Sequence, residues 1–339
     1  MKKQITIRDV AREAGVSVCC VSWVLNHHAR SSVVSEPTRQ RVVESAAKLG
    51  YHRNQLASAT RTGKVNTIAA ILSFEKFHSM APVNQQILFG IMLEASQWKY
   101  GVRVFPDDDL ETTFQDIAEN RIDKAILHSV EPTIREQAAV LAERYSIQLA
   151  YSLERGHHGF PAVNADNVET TCKMVHYLVE HGHRRIGLLC VPHKYYYIQD
   201  RHAGYLQGMR ECGLAVDPDW IRCSDNVVES VDLLLGLPAS RRPTACVTLA
   251  DSLAANAQKA ALERGLRIPE DFSVMGIGDT EIGRFTFRKL TTMNESQLES
   301  GKMLVRLLLG QEVGTPDEFN VYHTHATLVE RESVHHFSN

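Results

Sequence analysis

Nowhere in the 339 residues do about 18 apolar residues run together, the length that a bilayer-spanning helix needs. The two N-terminal lysines have no apolar stretch behind them, so a secretory leader is not expected. Seven cysteines (Cys19, Cys20, Cys172, Cys190, Cys212, Cys223 and Cys246) include no C-x-x-C pair, and their number is odd. That pattern argues against a disulfide framework and for reduced thiols in a cytoplasmic protein. No G-x-G-x-x-G follows a candidate strand, because "GIGDTEIG" spaces its glycines wrongly. A Walker loop and a nucleophile elbow are also missing, which counts against the common enzymes of α/β folds. Sixteen histidines include "HGH" at 181–183, "HTH" at 323–325 and three His-His pairs. With no Cys or acid read at matching spacing, neither a metal nor another cofactor is expected.

What is present is an ordinary globular composition, 44% hydrophobic and 23% charged, in a chain long enough for two or three cores. The net charge of −3 conceals an asymmetry. Residues 1–64 hold 11 Lys and Arg against 4 acids, so the head carries +7 and the remainder −10. A small basic head on an acidic body is the electrostatic footprint of a polyanion-binding module joined to something else.

The head reads as three short helices. In "TIRDVAREAG", Thr6 is placed as N-cap and Asp9 stands at the capping-box spacing. Ile7, Val10, Ala11 and Ala14 form one apolar stripe, and Gly15 stops the helix. Ser17 can cap a second helix over 18–25, with Val21, Val24 and Leu25 turned inward. Adjacent side chains on that helix point about 100° apart, so Cys19 and Cys20 are poor partners for one metal. A third helix follows in "SEPTRQRVVESAAKLGY", capped by Ser35, with Val42, Val43, Ala46 and Leu49 as its stripe and Gly50 as its stop. Ala11, Gly15 and Val21 supply the small residue, the turn and the apolar plug that a helix-turn-helix needs.

On these residues the chain resembles the lactose-repressor (LacI) family of bacterial transcription regulators. "TIRDVAREAGVSVCCVSWVLN", "VSEPTRQRVVESAAKLGY" and the segment after them carry the resemblance, which is dense over 5–57. It implies that the second helix lies in the major groove of an operator. Val18, Cys19 and Trp23 then reach base edges, Ser17, Cys20, Ser22 and Asn26 lie closer to phosphate, and Thr6 completes the DNA-binding set. None of the three readers is Arg, Gln or Asn, the side chains that give bidentate base recognition. Contact with thymine methyls and with DNA shape is expected instead; for Trp23 the alternative is a packing role.

Residues 51–64, "YHRNQLASATRTGK", join head to body. The resemblance implies a hinge helix that enters the minor groove, with Tyr51, Asn54, Leu56, Ala57 and Thr60 on the DNA. Wedging a side chain between base pairs kinks the duplex. Here the wedge position is Thr60 where relatives carry leucine, the usual Arg is Ser58 and the usual Pro is Arg53. A short polar residue is a poor wedge; the alternative is a shifted register that uses Leu56.

From Thr67 onward apolar runs alternate with helical patterns. Candidate strands lie at 67–73, 102–105, 124–128, 147–151, 185–190, 245–249 and 273–277. Such alternation points to parallel sheets covered on both faces, in two doubly wound lobes. "VNADN" with "HYLVEHGHRRIGLL", "RHAGYLQGMRECGL" and "TLVERES" extend the resemblance over nearly the whole chain. The implied body resembles a periplasmic sugar-binding protein, with three crossovers and a cleft. Ligands of such sheets sit at the carboxyl ends of the strands, which selects Ser73, Tyr197, Arg201, Asn226, Asp251 and Asp279. Arg201 is the family's effector-gripping arginine, with Tyr197 one turn before it. Tyr195 and Tyr196 read as surface or core. The family's Asn-Asp pair is Ala250-Asp251, and Gly278 stands for the first Asp of another pair. A ligand other than a simple hexose held in the standard way is therefore expected.

The resulting reading is a small all-α helix-turn-helix head at 1–50, a hinge at 51–64 and an α/β body at 65–339. Lobe 1 is expected over about 65–164 and 292–322, lobe 2 over about 165–291 and 323–339. Functionally it is a repressor without enzymatic activity. Its partners are a near-palindromic double-stranded DNA operator, a carbohydrate-like small-molecule effector and a second copy of the chain, with no membrane. No heptad-like tail suggests a tetramerising helix. The rival classes are a DNA-binding dimer whose cleft has no ligand and a sugar-binding or enzymatic α/β protein.

Overall fold

The computed structural model describes residues 5–25, 33–51, 65–73, 82–192, 194–224 and 226–337. The expected DNA contacts Asn26, Asn54, Leu56, Ala57 and Thr60 lie outside the described residues. The chain divides into two units, Met1–Val65 and Asn66–Asn339.

In the first unit, α1 (Ile7–Ala14), α2 (Val18–Leu25) and α3 (Glu36–Leu49) pack pairwise. The Asp9 carboxylate accepts from the Thr6 N–H at 2.9 Å and from its hydroxyl at 2.7 Å, which fixes the start of α1. Gly15, at φ 64°, takes the left-handed conformation that ends it, and the Val16 N–H returns to the Ala11 carbonyl at 3.1 Å. Val10, Ala11, Ala14, Val21, Val24, Val42 and Ala46 make the core. Val43 leaves the expected stripe: it is exposed, and Ser45 takes the buried place beside Ala46. The α3 pattern is apolar at two adjacent positions, and only one of them can face inward.

The second unit is built on two six-stranded sheets. The first has strand order β11-β5-β4-β3-β1-β2, from β1 (Thr67–Leu72), β2 (Gly101–Pro106), β3 (Lys124–His128), β4 (Gln148–Ser152), β5 (Ala162–Ala165) and β11 (Val321–Thr324). The second has order β12-β10-β9-β8-β6-β7, from β6 (Ile186–Cys190), β7 (Ile221–Cys223), β8 (Ala245–Thr248), β9 (Ser273–Ile277), β10 (Thr291–Asn294) and β12 (Thr327–Val329). All pairings are parallel except β10 with β12. The chain crosses between sheets after β5, after β10 and after β11. β10 belongs wholly to the second sheet and β11 wholly to the first. The second and third crossovers thus fall at 295–296 and 325–326, past the 292 and 323 expected from sequence.

Helices cover both sheets: α4 (Pro82–Gln97), α5 (Leu110–Glu119), α6 (Pro132–Tyr145) and α12 (Gln297–Leu308) in lobe 1. Lobe 2 carries α7 (Asn167–Glu180), α8 (Tyr196–Glu211), α9 (Val227–Leu235), α10 (Asp251–Glu263) and the single turn α11 (Ile282–Phe285). Each lobe has its own buried core, around Ile68, Ile126 and Leu304 in one and Leu188, Val247 and Tyr205 in the other. Cys190 and Cys223 are register partners across β6 and β7, with their sulfurs in contact. Residues 33 apart in the chain give no local sign of this pairing. No described helix is long and apolar enough to cross a membrane.

Candidate nucleic-acid interface and ligand cleft

On α2 the inward side chains are Val21 and Val24, at 0% and 4% exposure. The opposite side presents Val18 and Cys19, both exposed, with Ser22 and Trp23 half-buried. Ser17 is exposed ahead of the helix, and its hydroxyl accepts from the Cys20 N–H at 3.2 Å. That bond satisfies one of the free amides of the first turn. Cys20 is half-buried, less exposed than its neighbour Cys19. Thr6 is exposed at the start of α1, and Tyr51 packs on the head core after Gly50 turns the chain. A short helix with an apolar back and an uncharged, apolar-rich front is thus set on a three-helix support. Its front offers methyl groups, a thiol and an indole, and no guanidinium or amide fork.

In the body, the carboxyl ends of both sheets face a cleft of about 360 Å³ between the lobes. Lobe 1 lines it with Ser73 after β1, His128 at the end of β3 and Asn164 on β5. Lobe 2 contributes mainly apolar side chains, among them Val191, Ile198, Leu249 and Leu253. Of the six residues expected at an effector, Ser73, Tyr197 and Arg201 line this cleft. The other three are placed elsewhere. Asn226 is exposed and caps α9, its Oδ1 accepting from the Glu229 N–H at 3.2 Å. Asp251 is 1% exposed and ties α10 to the ends of β9 and β10. It accepts from the Thr280 N–H at 2.6 Å, the Thr280 hydroxyl at 2.8 Å and the Thr292 hydroxyl at 2.6 Å. Asp279 pairs with Arg331 and accepts from Asn294 at 3.1 Å. Being at the end of a strand puts a residue near the cleft; the local turn decides where its side chain points.

Arg201 is held on every side. Its Nε donates to Asn167 Oδ1 at 2.8 Å, Nη1 to the Leu249 carbonyl at 2.8 Å, and Nη2 pairs with Glu295. The guanidinium lies 5.1 Å from the Tyr197 ring centroid. Glu295 sits at the second crossover and Asn167 just past the first, so this arginine binds both connections. His128 is the one titratable ring among the described residues of the lobe 1 wall; burial pushes it down to about 4, and its Nδ1 shares a hydrogen bond with Ser152 at 2.6 Å. At neutral pH it is therefore uncharged.

A second group of inter-lobe contacts went unread in the sequence. Tyr195 donates to Glu131 at 2.6 Å, and Lys194 reaches the same carboxylate at 3.1 Å. Arg155 pairs with Asp200 at 2.8 Å and lies 4.5 Å from the Tyr196 ring. Tyr195 is thus neither plain surface nor core, since its hydroxyl bonds lobe 2 to lobe 1, while Tyr196 is a surface residue with the Arg155 guanidinium over its ring. The triple tyrosine was the available signal, but its partners lie more than 35 residues away.

Glu154 sits in this clasp, 2% exposed. Burial pushes its carboxyl up to about 7, while the charge on Arg135 and the Tyr197 and Arg155 amides limit the rise. In the unfolded chain a glutamate titrates near ~4.3. The folded state therefore holds the proton more tightly, and stability falls as pH rises from about 4.3 to about 7. Glu154→Gln should raise the stability at pH 8 by on the order of 3 kcal/mol, seen as a higher melting temperature, and leave it nearly unchanged at pH 4. Melts at both pH values check this; an equal gain at each rules it out.

Residues 6–54 match the family described as bacterial regulatory proteins, lacI family, and residues 175–334 match the periplasmic binding protein-like domain. The HTH-type transcriptional repressor CytR of Escherichia coli is 31% identical over 326 residues, 91% of this chain and 92% of that protein. The HTH-type transcriptional regulator GalS of Salmonella typhimurium is 31% identical over 347 residues, 97% and 96% of the two chains. Among solved structures, the Lac repressor dimer bound to operator and the anti-inducer ONPF superposes with a TM-score of 0.71. It is 25% identical, over 98% of this chain and 100% of that one.

Proposed function

This chain belongs to the LacI family of bacterial regulatory proteins, and on that premise we propose that it is a homodimeric repressor whose grip on an operator is set by a small molecule in the cleft. The observation that carries the reading is the cleft itself. Its volume of about 360 Å³ is in the range of metabolite sites, and a polar wall faces an apolar one across it. Those walls suit a neutral, amphipathic ligand, such as a sugar or a metabolite that carries one. Ser73, Tyr197 and Arg201 are the proposed contacts, with Arg201 presenting its held guanidinium edge rather than a free charge. Among the described residues no carboxylate on the wall is unpaired, since Glu295 is taken by Arg201 and Asp251 and Asp279 are turned away. This supports a contact set different from one built to grip a ring of hydroxyls. Binding changes the lobe angle, and through it the spacing of two heads on a two-fold operator. The protein acts by binding, on DNA in the cytoplasm, and not by catalysis.

Two measurements test the reading. A metabolite panel should raise the melting temperature for at least one class, because a ligand that binds only the folded state stabilises it by about 2.7 kcal/mol at 100 times its Kd. No stabilisation by any sugar or sugar-bearing metabolite would favour a ligand-free dimer. For the head, Trp23→Ala should cost roughly 10- to 100-fold on the selected operator, the range of one lost base contact, and much less on random DNA. Equal losses on both would mean that Trp23 only packs.

A further inference from the structure

We propose that Cys172, His176 and Glu211 form a binding site for a divalent transition metal, zinc by its ligand set, on the outer face of lobe 2. Cys172 and His176 stand one turn apart on α7, and Glu211 is the last residue of α8. Cys172 Sγ lies 3.3 Å from Glu211 Oε2 and 3.8 Å from His176 Nε2, and the last two atoms are 3.1 Å apart. Tetrahedral zinc with ordinary Zn–S, Zn–N and Zn–O bonds requires ligand-to-ligand separations of about 3.3–3.6 Å. The three atoms thus already outline one face of a coordination tetrahedron.

The backbone makes the site rigid. α7 and α8 cross closely because Gly204 and Gly208 leave no side chain between them: a Cβ at Gly204 would strike the Val168 carbonyl, and one at Gly208 would come within 2.8 Å of Val175 Cβ. The same approach brings the Glu211 carboxylate over Cys172. Gln207, one turn earlier on α8, donates to Glu211 Oε1 at 2.8 Å and leaves Oε2 for the metal. A ligand oriented by a neighbouring hydrogen bond is the usual support of a metal site. Cys172 is 7% exposed, whereas the His176 and Glu211 side chains are 40% and 42% exposed. A buried sulfur beneath a solvent-facing nitrogen and oxygen lets an ion enter, and it leaves the fourth position open to water. Cys-x-x-x-His is also a spacing that the sequence reading passed over in expecting no metal; the acid that completes it is 35 residues farther along.

A rival cluster, Glu136 with His157 and His158, is half-buried to exposed and has no sulfur. That difference makes the test selective. The reduced, metal-stripped full-length protein is titrated with Co(II) and then Zn(II). The expected result is one equivalent bound, with a thiolate-to-cobalt charge-transfer band and tetrahedral ligand-field bands, displaced by Zn(II). Zn(II) should also raise the melting temperature. Cys172→Ser should lose the sulfur band. Glu211→Gln, a shape-conserving change at an exposed residue, should weaken binding and lose the thermal gain given by Zn(II), each melt being compared with the same variant's metal-free melt. A sulfur band that survives in Cys172→Ser, binding abolished by His157→Ala with His158→Ala, or no bound equivalent overturns the proposal.

Discussion

Arg201→Ala should lower the melting temperature by roughly 10 °C and remove the response to any effector. The magnitude follows from burial. The Arg201 and Glu295 side chains are 10% and 4% exposed, and each satisfies the other. Removing one partner of such a pair costs about 3–5 kcal/mol, because the remaining charge stays buried without its counterion. For a unit of this size that corresponds to roughly 2–4 °C per kcal/mol. The loss should be insensitive to salt, since little solvent screens the pair. The double variant Arg201→Met with Glu295→Gln separates charge from packing. It should recover much of the stability, because no unpaired charge remains, while staying unresponsive to effector. A double variant no more stable than the single one would show that the carboxylate is not the cause. The same arginine ties Asn167 past the first crossover to Glu295 at the second, so its loss should loosen the lobes as well as the cleft wall.

Gly301→Ala should cost on the order of 3 kcal/mol or more, again near 10 °C, with no change in the head. α12 crosses α4 where Gly301 meets Gly90. A Cβ at Gly301 would strike the Ile87 carbonyl and stand 2.9 Å from the Ile91 nitrogen, and one at Gly90 would strike the Leu298 carbonyl. Backbone cannot rotate away as a side chain can, so the helices must separate, and the packing of Ile87, Ile91 and Leu304 opens with them. Since α12 follows directly from Glu295, the shift also reaches the crossover that carries the arginine's partner. Calorimetry of the full chain reads this directly. A fall of only a degree or two would mean that the helices tolerate a wider crossing.

The sequence by itself determined the three-helix head. Caps, stops and a 3.6-residue apolar stripe are local signals: Thr6, Asp9, Gly15 and Gly50 sit where the chemistry of helix ends requires, and Val21 falls on the inward face of α2. It also determined the parallel strands buried on both faces, such as β1, β3, β6 and β9, because continuous apolar runs admit few other uses. The short strands β5, β7, β10, β11 and β12 were not legible; β10 is half threonine, and their identity comes from neighbours far along the chain. Only the tertiary structure decided what the polar residues at the strand ends do. Asp251 and Arg201 were equally good effector candidates as letters in a sequence. In the fold, Asp251 turns under Thr280 and Thr292, whereas Arg201 reaches the cleft. The same holds for Cys172, His176 and Glu211, and for Glu131 with Tyr195. Element identity follows from local periodicity, but the direction of a side chain depends on which distant backbone happens to be adjacent.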